Sequence, residues 1–202
     1  MSLEELATRT QAIYDRHAEG FDRHRHKVLI ERAWLDRFLA LVPEGATILD
    51  VGCGAGEPIA RHLIAMGRSV HGVDFSESML TLSRARFPAQ QWTHADMRSL
   101  DLPGRYGGVI AWDSFFHLTL DEQRDCLPRL ARHLAPGGAL LFTCGHEEGE
   151  VTGTVEGETV YHASLGPGEY RSILEREGLQ QEAFVPEDPD CDFHTVCLAR
   201  RA

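Results

Sequence analysis

The sequence predicts an α/β protein built on a doubly wound, mostly parallel sheet. Three observations carry this prediction. Apolar runs of strand length alternate with amphipathic helical stretches from Thr47 to Thr143. A glycine-rich turn, Gly52-Cys53-Gly54-Ala55-Gly56, follows the first of those runs. The last two strand-like runs lie too close together for a helical crossover, so they are expected to pair antiparallel. The length of 202 residues suits one domain with a sizeable core.

Taken in order, Leu3 to Ala18 and Val28 to Leu41 read as amphipathic helices ahead of the sheet. Thr47 to Val51 is a buried-strand run, and the glycine turn leads into a helix over Glu57–Met66. That helix places Ile59, Leu63 and Met66 on one face and is closed by Gly67. Ser69 to Val73 is the second strand. Ser76 is the N-cap of a helix over Glu77–Arg86. Gln91 to Ala95 and Gly108 to Trp112 are the third and fourth strands. Thr119 with Glu122 forms a capping box for a helix from Leu120 to about Leu134, which Pro128 is expected to kink or split. The Pro136-Gly137-Gly138 turn precedes a fifth strand, Ala139 to Thr143. Val151 to Leu165 reads as a hairpin turning at Glu156-Gly157-Glu158. Pro167 opens a last helix that ends at Gly178, and Gln181–Val185 and Thr195–Ala199 are the final strands. The expected organisation is a single domain: a helical cap over 1–45, a ligand-binding core over 46–144, and the hairpin, last helix and last strands over 145–202.

Composition excludes several classes. Hydrophobic residues make up 43% and charged residues 25%, which is ordinary for a globular protein and argues against disorder. No apolar run approaches the roughly 20 residues that span a bilayer. Met1 to Thr10 has no apolar segment of signal-peptide type, so a cytoplasmic protein is expected. The net charge of −11 is localised: Gly145 to Asp192 holds 13 acids against 2 arginines, and the remainder balances. Such a stretch repels nucleic acid, and the single lysine, Lys27, rules out a polylysine membrane anchor. The five cysteines, Cys53, Cys126, Cys144, Cys191 and Cys197, lack disulfide or zinc spacing and read as buried thiols. No metal site is expected. His24 and His26 sit in a basic segment and read as solvated.

The chemistry lies at the strand ends. In an open parallel sheet, ligands bind beyond the carboxyl ends of the strands. Asp50, Asp74, Asp96 and Asp113 end the first four strands in succession, which implies a ligand that is cationic or rich in donors. The glycine turn lets backbone pass close beneath that ligand. An acid about 20 residues further on suits ribose hydroxyls, and Asp74 fits. A dinucleotide fingerprint would place its third glycine at position 57, where the chain has Glu57. A carboxylate there disfavours a pyrophosphate and favours a nucleoside without phosphates.

Ile48-Leu49-Asp50-Val51-Gly52-Cys53-Gly54-Ala55-Gly56 resembles the first motif of class I S-adenosylmethionine-dependent methyltransferases of the small-molecule type. Val70 to Ser76 is similar to their second motif, His94-Ala95-Asp96-Met97 to the adenine-contacting motif, and Leu134 to Gly138 to the turn before the fifth strand. The resemblance implies a Rossmann-like seven-stranded sheet of order 3-2-1-4-5-7-6, with the seventh strand antiparallel and the hairpin as an insertion. It implies S-adenosylmethionine as methyl donor and S-adenosylhomocysteine as product. By resemblance Asp50, Gly52, Cys53, Gly54 and Gly56 form the glycine motif. Asp74 meets the ribose, Phe75 and Met79 pack beside the adenine, and Asp96 and Met97 meet its edge. Trp112 and Asp113 lie near the sulfonium and amino-acid end.

An acceptor that bears a proton needs a base, and His117 after the fourth strand is the first candidate. Tyr14 and His17 on the first helix are further candidates, because that helix often closes over the cofactor in this family. Tyr161 and His162 lie where the family often builds its acceptor pocket. Trp112, Phe115 and Phe116 are candidates to offer a π-face to a sulfonium. The chain has no Asn/Asp-Pro-Pro-Tyr run after the fourth strand, which argues against nucleobase or amide N-methylation. A small-molecule acceptor is expected, with the protein a monomer or homodimer. Two alternatives stay open, a nicotinamide-dependent oxidoreductase and an inactive cofactor-binding protein.

Overall fold

The computed structural model describes residues 2–202; Met1, the first residue of the expected cap, lies outside them. Three helices come first: α1 (Leu3–Ala7), α2 (Thr10–His24) and α3 (Arg32–Leu41). The sheet then begins with β1 (Ile48–Val51), followed by α4 (Ile59–Ala65), β2 (Val70–Asp74), α5 (Glu77–Arg86), β3 (Gln91–His94) and β4 (Tyr106–Ala111). Helix α6 (Leu120–Arg132) and β5 (Leu134–Cys144) complete the parallel part. The hairpin β6 (Gly149–Val155) and β7 (Glu158–Ser164), α7 (Pro167–Arg176), β8 (Leu179–Asp188) and β9 (His194–Arg201) follow.

The main sheet has seven strands in the order β3-β2-β1-β4-β5-β9-β8, and β6-β7 forms a separate pair. Counting the sheet strands alone, this is the expected order 3-2-1-4-5-7-6. The first five strands run parallel, and β9 joins β5 and β8 antiparallel. Order reverses between β1 and β4, so a crevice opens above their carboxyl ends.

Side-chain alternation along the strands fills two layers. Leu49, Val51, Val109 and Phe142 face α6 and α7, packing with Leu127, Leu130, Tyr170 and Ile173. Ile48, Ile110 and Leu141 face the other way, onto Trp34, Leu35 and Phe38 of α3 and Ile59 and Leu63 of α4. Each such buried side chain stabilises the fold by about 1.5–3 kcal/mol relative to exposure. Both capping features hold: Ser76 Oγ accepts from Met79 N, and the Thr119–Glu122 box is reciprocal.

Several elements differ from expectation. The first helix is two helices, α1 and α2, with Thr8 and Arg9 between them, and α2 continues to His24. Helix α4 starts two residues late because the glycine turn extends through Gly56, whose φ is +76°. Met66 is exposed rather than on the buried face. Helix α6 runs through Pro128 without a break. The Pro136-Gly137-Gly138 turn is a bulge inside β5: Leu134 pairs with Tyr106, and Ala139 with Gly108. Strands β8 and β9 are longer than their apolar runs, since polar ends still pair at the sheet edge.

Gly72 is a close-packing position. A Cβ there would lie 2.3 Å from the Trp92 ring and 2.9 Å from Cys53 Sγ. Gly72→Ala is expected to cost about 1–3 kcal/mol through overpacking. Chemical denaturation reads this directly, and an unshifted midpoint would mean that Trp92 yields freely.

Candidate functional site

A cavity with about 740 Å³ of open space lies above the carboxyl ends of β1, β2 and β4. Asp50, Gly52, Cys53, Gly54, Gly56, Asp74, Phe75, Met79, Trp112 and Asp113 all line it. Helix α2 and the segment after it supply a roof of Tyr14, Phe21, Asp22 and Arg25.

The glycine turn is shaped by close approach. Gly52 has φ +74°, and a Cβ there would lie 2.3 Å from Ser114 Cβ. Ser114 Oγ in turn donates to Val51 O at 2.8 Å, tying β1 to the segment after β4. Gly54 has φ +51°, and its missing Cβ would point into open space. Both oxygens of Asp74 accept backbone N–H bonds at 2.8 Å, from Gly54 and Ser76. A carboxylate offers about four acceptor sites, so the outer lone pairs remain available to a ligand.

The three strand-end aspartates of the cavity differ in charge state. Burial, with the Asp74 charge adding, pushes Asp50 up to about 7, and Arg25 opposes. Burial also pushes Asp74 up to about 6, against its two backbone hydrogen bonds. Burial acts on Asp113 as well, but a hydrogen bond from His194 and the Arg25 charge hold it below the usual range. His194 Nε2 lies 3.0 Å from Asp113 Oδ1, and Arg25 Nη2 is 3.3 Å from Oδ2. Asp113 has φ +49°, and its N–H donates to Thr143 Oγ1 at 2.9 Å.

Tyr14 and His117 form a pair at the same end. His117 Nδ1 donates to Tyr161 O at 3.0 Å, which leaves Nε2 to accept from the Tyr14 hydroxyl at 3.0 Å. Burial, with His162 adding, draws His117 down to about 4, so it is neutral near pH 7. Burial and Asp113 raise Tyr14 well above its ordinary range.

Some expected residues stand elsewhere. His17 points away from the cavity, with Nε2 2.6 Å from Glu158 on the hairpin. Asp96 and Met97 lie outside the cavity wall. Asp96 instead caps the short turn Met97–Ser99 and is forked onto the Arg98 guanidinium at 2.9 and 2.5 Å. Met97 is buried beneath Gly52. Tyr161 is fully buried, and its hydroxyl donates to Glu150 at 2.6 Å. Phe115 is core, packed on Phe142 and Tyr170. His24 is not merely solvated: Nδ1 lies 3.0 Å from Glu156 Oε1. Glu57 lines the cavity but is ringed by Lys27, Arg61 and Arg86, which weakens its expected repulsion of phosphates. The residues that sequence reading missed are Arg25, Phe21, Ser114 and His194. Of these, only Ser114 lies inside a motif region.

The site sits on a familiar frame. Residues 48–138 match a family model described as a methyltransferase domain. Over 165 residues the chain is 33% identical to the dTDP-3-amino-3,6-dideoxy-alpha-D-glucopyranose N,N-dimethyltransferase of Streptomyces fradiae, covering 75% of this chain and 62% of that relative. It is 29% identical to the dTDP-3-amino-3,4,6-trideoxy-alpha-D-glucopyranose N,N-dimethyltransferase of Streptomyces venezuelae, covering 79% of this chain and 72% of the relative. The CcbJ methyltransferase from Streptomyces caelestis has a similar structure, with TM-score 0.73, 21% identity, and 94% and 98% of the two chains covered. These matches support a methyltransferase domain of the class I S-adenosylmethionine-dependent type.

The His194–Asp113 pair yields a pH prediction. The hydrogen bond to Asp113 raises His194 from 6.5 to about 9, with burial opposing. Its stabilisation is therefore fully present below pH 6.5 and is lost as pH rises through 9. The gap in melting temperature between wild type and His194→Gln is expected to be widest at the acid end and to close above pH 9. A gap that stays constant across that range would show that the histidine carries no charge in the pair.

Proposed function

We propose that this chain transfers a methyl group from S-adenosylmethionine to a small-molecule acceptor. The observation that carries the reading is Asp50, a buried carboxylate facing the cavity with no hydrogen-bond partner among the described residues. Such a group needs a donor or a cation from a ligand. Trp112 also lines the cavity and leaves a buried, unpartnered Nε1. The open space over Gly54 suits a ligand passing close above backbone. A nucleoside carrying an ammonium and a sulfonium fits this donor set, with Asp74 toward the ribose, Phe75 and Met79 toward the base, and Asp50, Trp112 and Asp113 toward the charged end.

S-adenosylmethionine supplies an electrophilic methyl on sulfur when bound. The protein's part is alignment, for which effective molarities correspond to roughly 7–11 kcal/mol. Where the acceptor sheds a proton, the Tyr14 hydroxyl meets it and His117 Nε2 takes it through the Tyr14 hydrogen bond. His117 is the base in this scheme, and Tyr161 O fixes its tautomer. The Arg98 fork occupies part of the Asp96 carboxylate, so an adenine amine there would share it with Arg98.

Titration calorimetry with S-adenosylhomocysteine and with NADH tests the reading. Wild type is expected to bind the first and not the second, and the reverse would return the chain to the oxidoreductase alternative. Asp74→Ala is expected to weaken S-adenosylhomocysteine by about 1.5–3 kcal/mol, the range for a charged hydrogen bond. Gly54→Val is expected to abolish binding with the fold intact, because a β-branched side chain fills the space and resists the positive φ. Full affinity in both variants would place the ligand elsewhere.

Once an acceptor is in hand, Tyr14→Phe and His117→Gln are expected to lower turnover by about 10²–10⁴-fold. Their S-adenosylhomocysteine affinity is expected to stay near wild type. Undiminished turnover in both would leave the reaction without need of a base.

A further inference from the structure

Beside the donor cavity lies a second cleft, with about 1190 Å³ of open space. It is bounded by the end of β5, the β6–β7 hairpin and the β8–β9 connection. Two contacts set it next to the end where Tyr14 and His117 meet. The His162 ring, on the cleft wall, lies 4.9 Å from the His117 ring. His194, also on the wall, bonds Asp113 of the donor cavity at 3.0 Å. Under the methyl-transfer reading above, on which this inference rests, the cleft is where an acceptor waits.

Its lining has a one-sided chemistry. Glu147, Glu148, Glu150, Glu187 and Asp192 border it, and no lysine or arginine does among the described residues. The histidines do not offset this. His194 is already paired with Asp113, and burial keeps His162 below its ordinary range. His146 stands 3.8 Å from Glu147 and 3.7 Å from Glu187. Glu148 and Asp192 have no ion-pair partner among the described residues.

The rest of the lining is apolar or aromatic. Phe116 packs against His162 with ring centroids 4.7 Å apart. Phe193 is 68% exposed and Val151 62% exposed, and both border the same opening. Large apolar side chains left open beside unpaired carboxylates describe one kind of guest, a cation with an apolar body. A diphosphate asks for the opposite, guanidinium forks or helix N-termini.

We propose that this cleft selects a small amine, an ammonium carried on an apolar or aromatic framework, and rejects nucleotide-diphosphate sugars. The chain would then differ in acceptor from the dTDP-sugar dimethyltransferases that it resembles.

The test uses the full chain saturated with S-adenosylhomocysteine and three probes. They are 2-phenylethylamine, 3-phenylpropionate with the same ring and the opposite charge, and dTDP-glucose. Calorimetry is expected to show the amine binding at least about tenfold tighter than either anion, with affinity falling as salt rises. The double variant Glu148→Gln/Asp192→Asn is expected to weaken the amine about fivefold and to leave S-adenosylhomocysteine affinity unchanged. Absence of amine binding, equal or tighter binding of either anion, or an unaffected double variant overturns the inference while the methyl-transfer reading stands. Failure of S-adenosylhomocysteine to bind wild type overturns both.

Discussion

The arrangement of the site depends on the charge of Asp113. This carboxylate sits half-buried just beyond β4, and a charge partly withdrawn from water is held in place by pairing. Its partners come from opposite directions. Arg25 reaches it from the segment after α2, and His194 from the start of β9. Drawing both toward one anion pulls the helical cap over one side of the strand ends and the β8–β9 connection over the other. Glu31, buried and 3.9 Å from Arg25, adds a second anion to the same guanidinium. Removing either cation would leave the anion with one partner, so the cap and the β8–β9 connection are energetically coupled through one side chain.

That pairing also explains why three aspartates in one cavity do not behave alike. Asp113 is satisfied by protein cations, Asp74 by two backbone amides, and Asp50 by neither. Burial raises both Asp50 and Asp74, and the Asp74 charge adds to the shift of Asp50. Environments that separate similar groups in this way assign them different tasks. The least satisfied carboxylate marks where a ligand has most to supply.

Local chemistry made much of this legible in the sequence. The glycine turn, Asp74 at its fixed distance, the Ser76 and Thr119 caps and the short final connection are each written within a few residues. Residues whose role depends on distant partners were not legible. Tyr14 and His17 sit three positions apart on α2, yet Tyr14 belongs to the row Tyr14, Ala18, Phe21 and Arg25 that faces the cavity and α5. His17 belongs with Ile13 and His24 on the row that meets the hairpin. Periodicity separates the two rows but does not say which one faces the ligand. Asp96 is a similar case: its strand-end position was visible, and the claim of Arg98 upon it was not. His194 opens β9 with no motif to mark it, and the pairing of β9 with β5 carries it to Asp113.

The division of labour along the chain follows from the same geometry. The donor cavity is built mainly from residues 48–138, the part that matches the methyltransferase family model. The second cleft draws only Phe116 from that part, and every other lining residue lies at or beyond Thr143. A carboxyl-edge crevice fixes where a nucleoside can sit, because it is set by the order of β1 and β4. The hairpin and the β8–β9 connection are held to the core at their bases, so their facing side chains can change charge without disturbing the sheet. The family-model match, confined to residues 48–138, therefore bears on the donor cavity and not on the second cleft. The acidic lining of the cleft, and not the names of relatives, is the physical ground for judging which acceptor the proposed transfer would use.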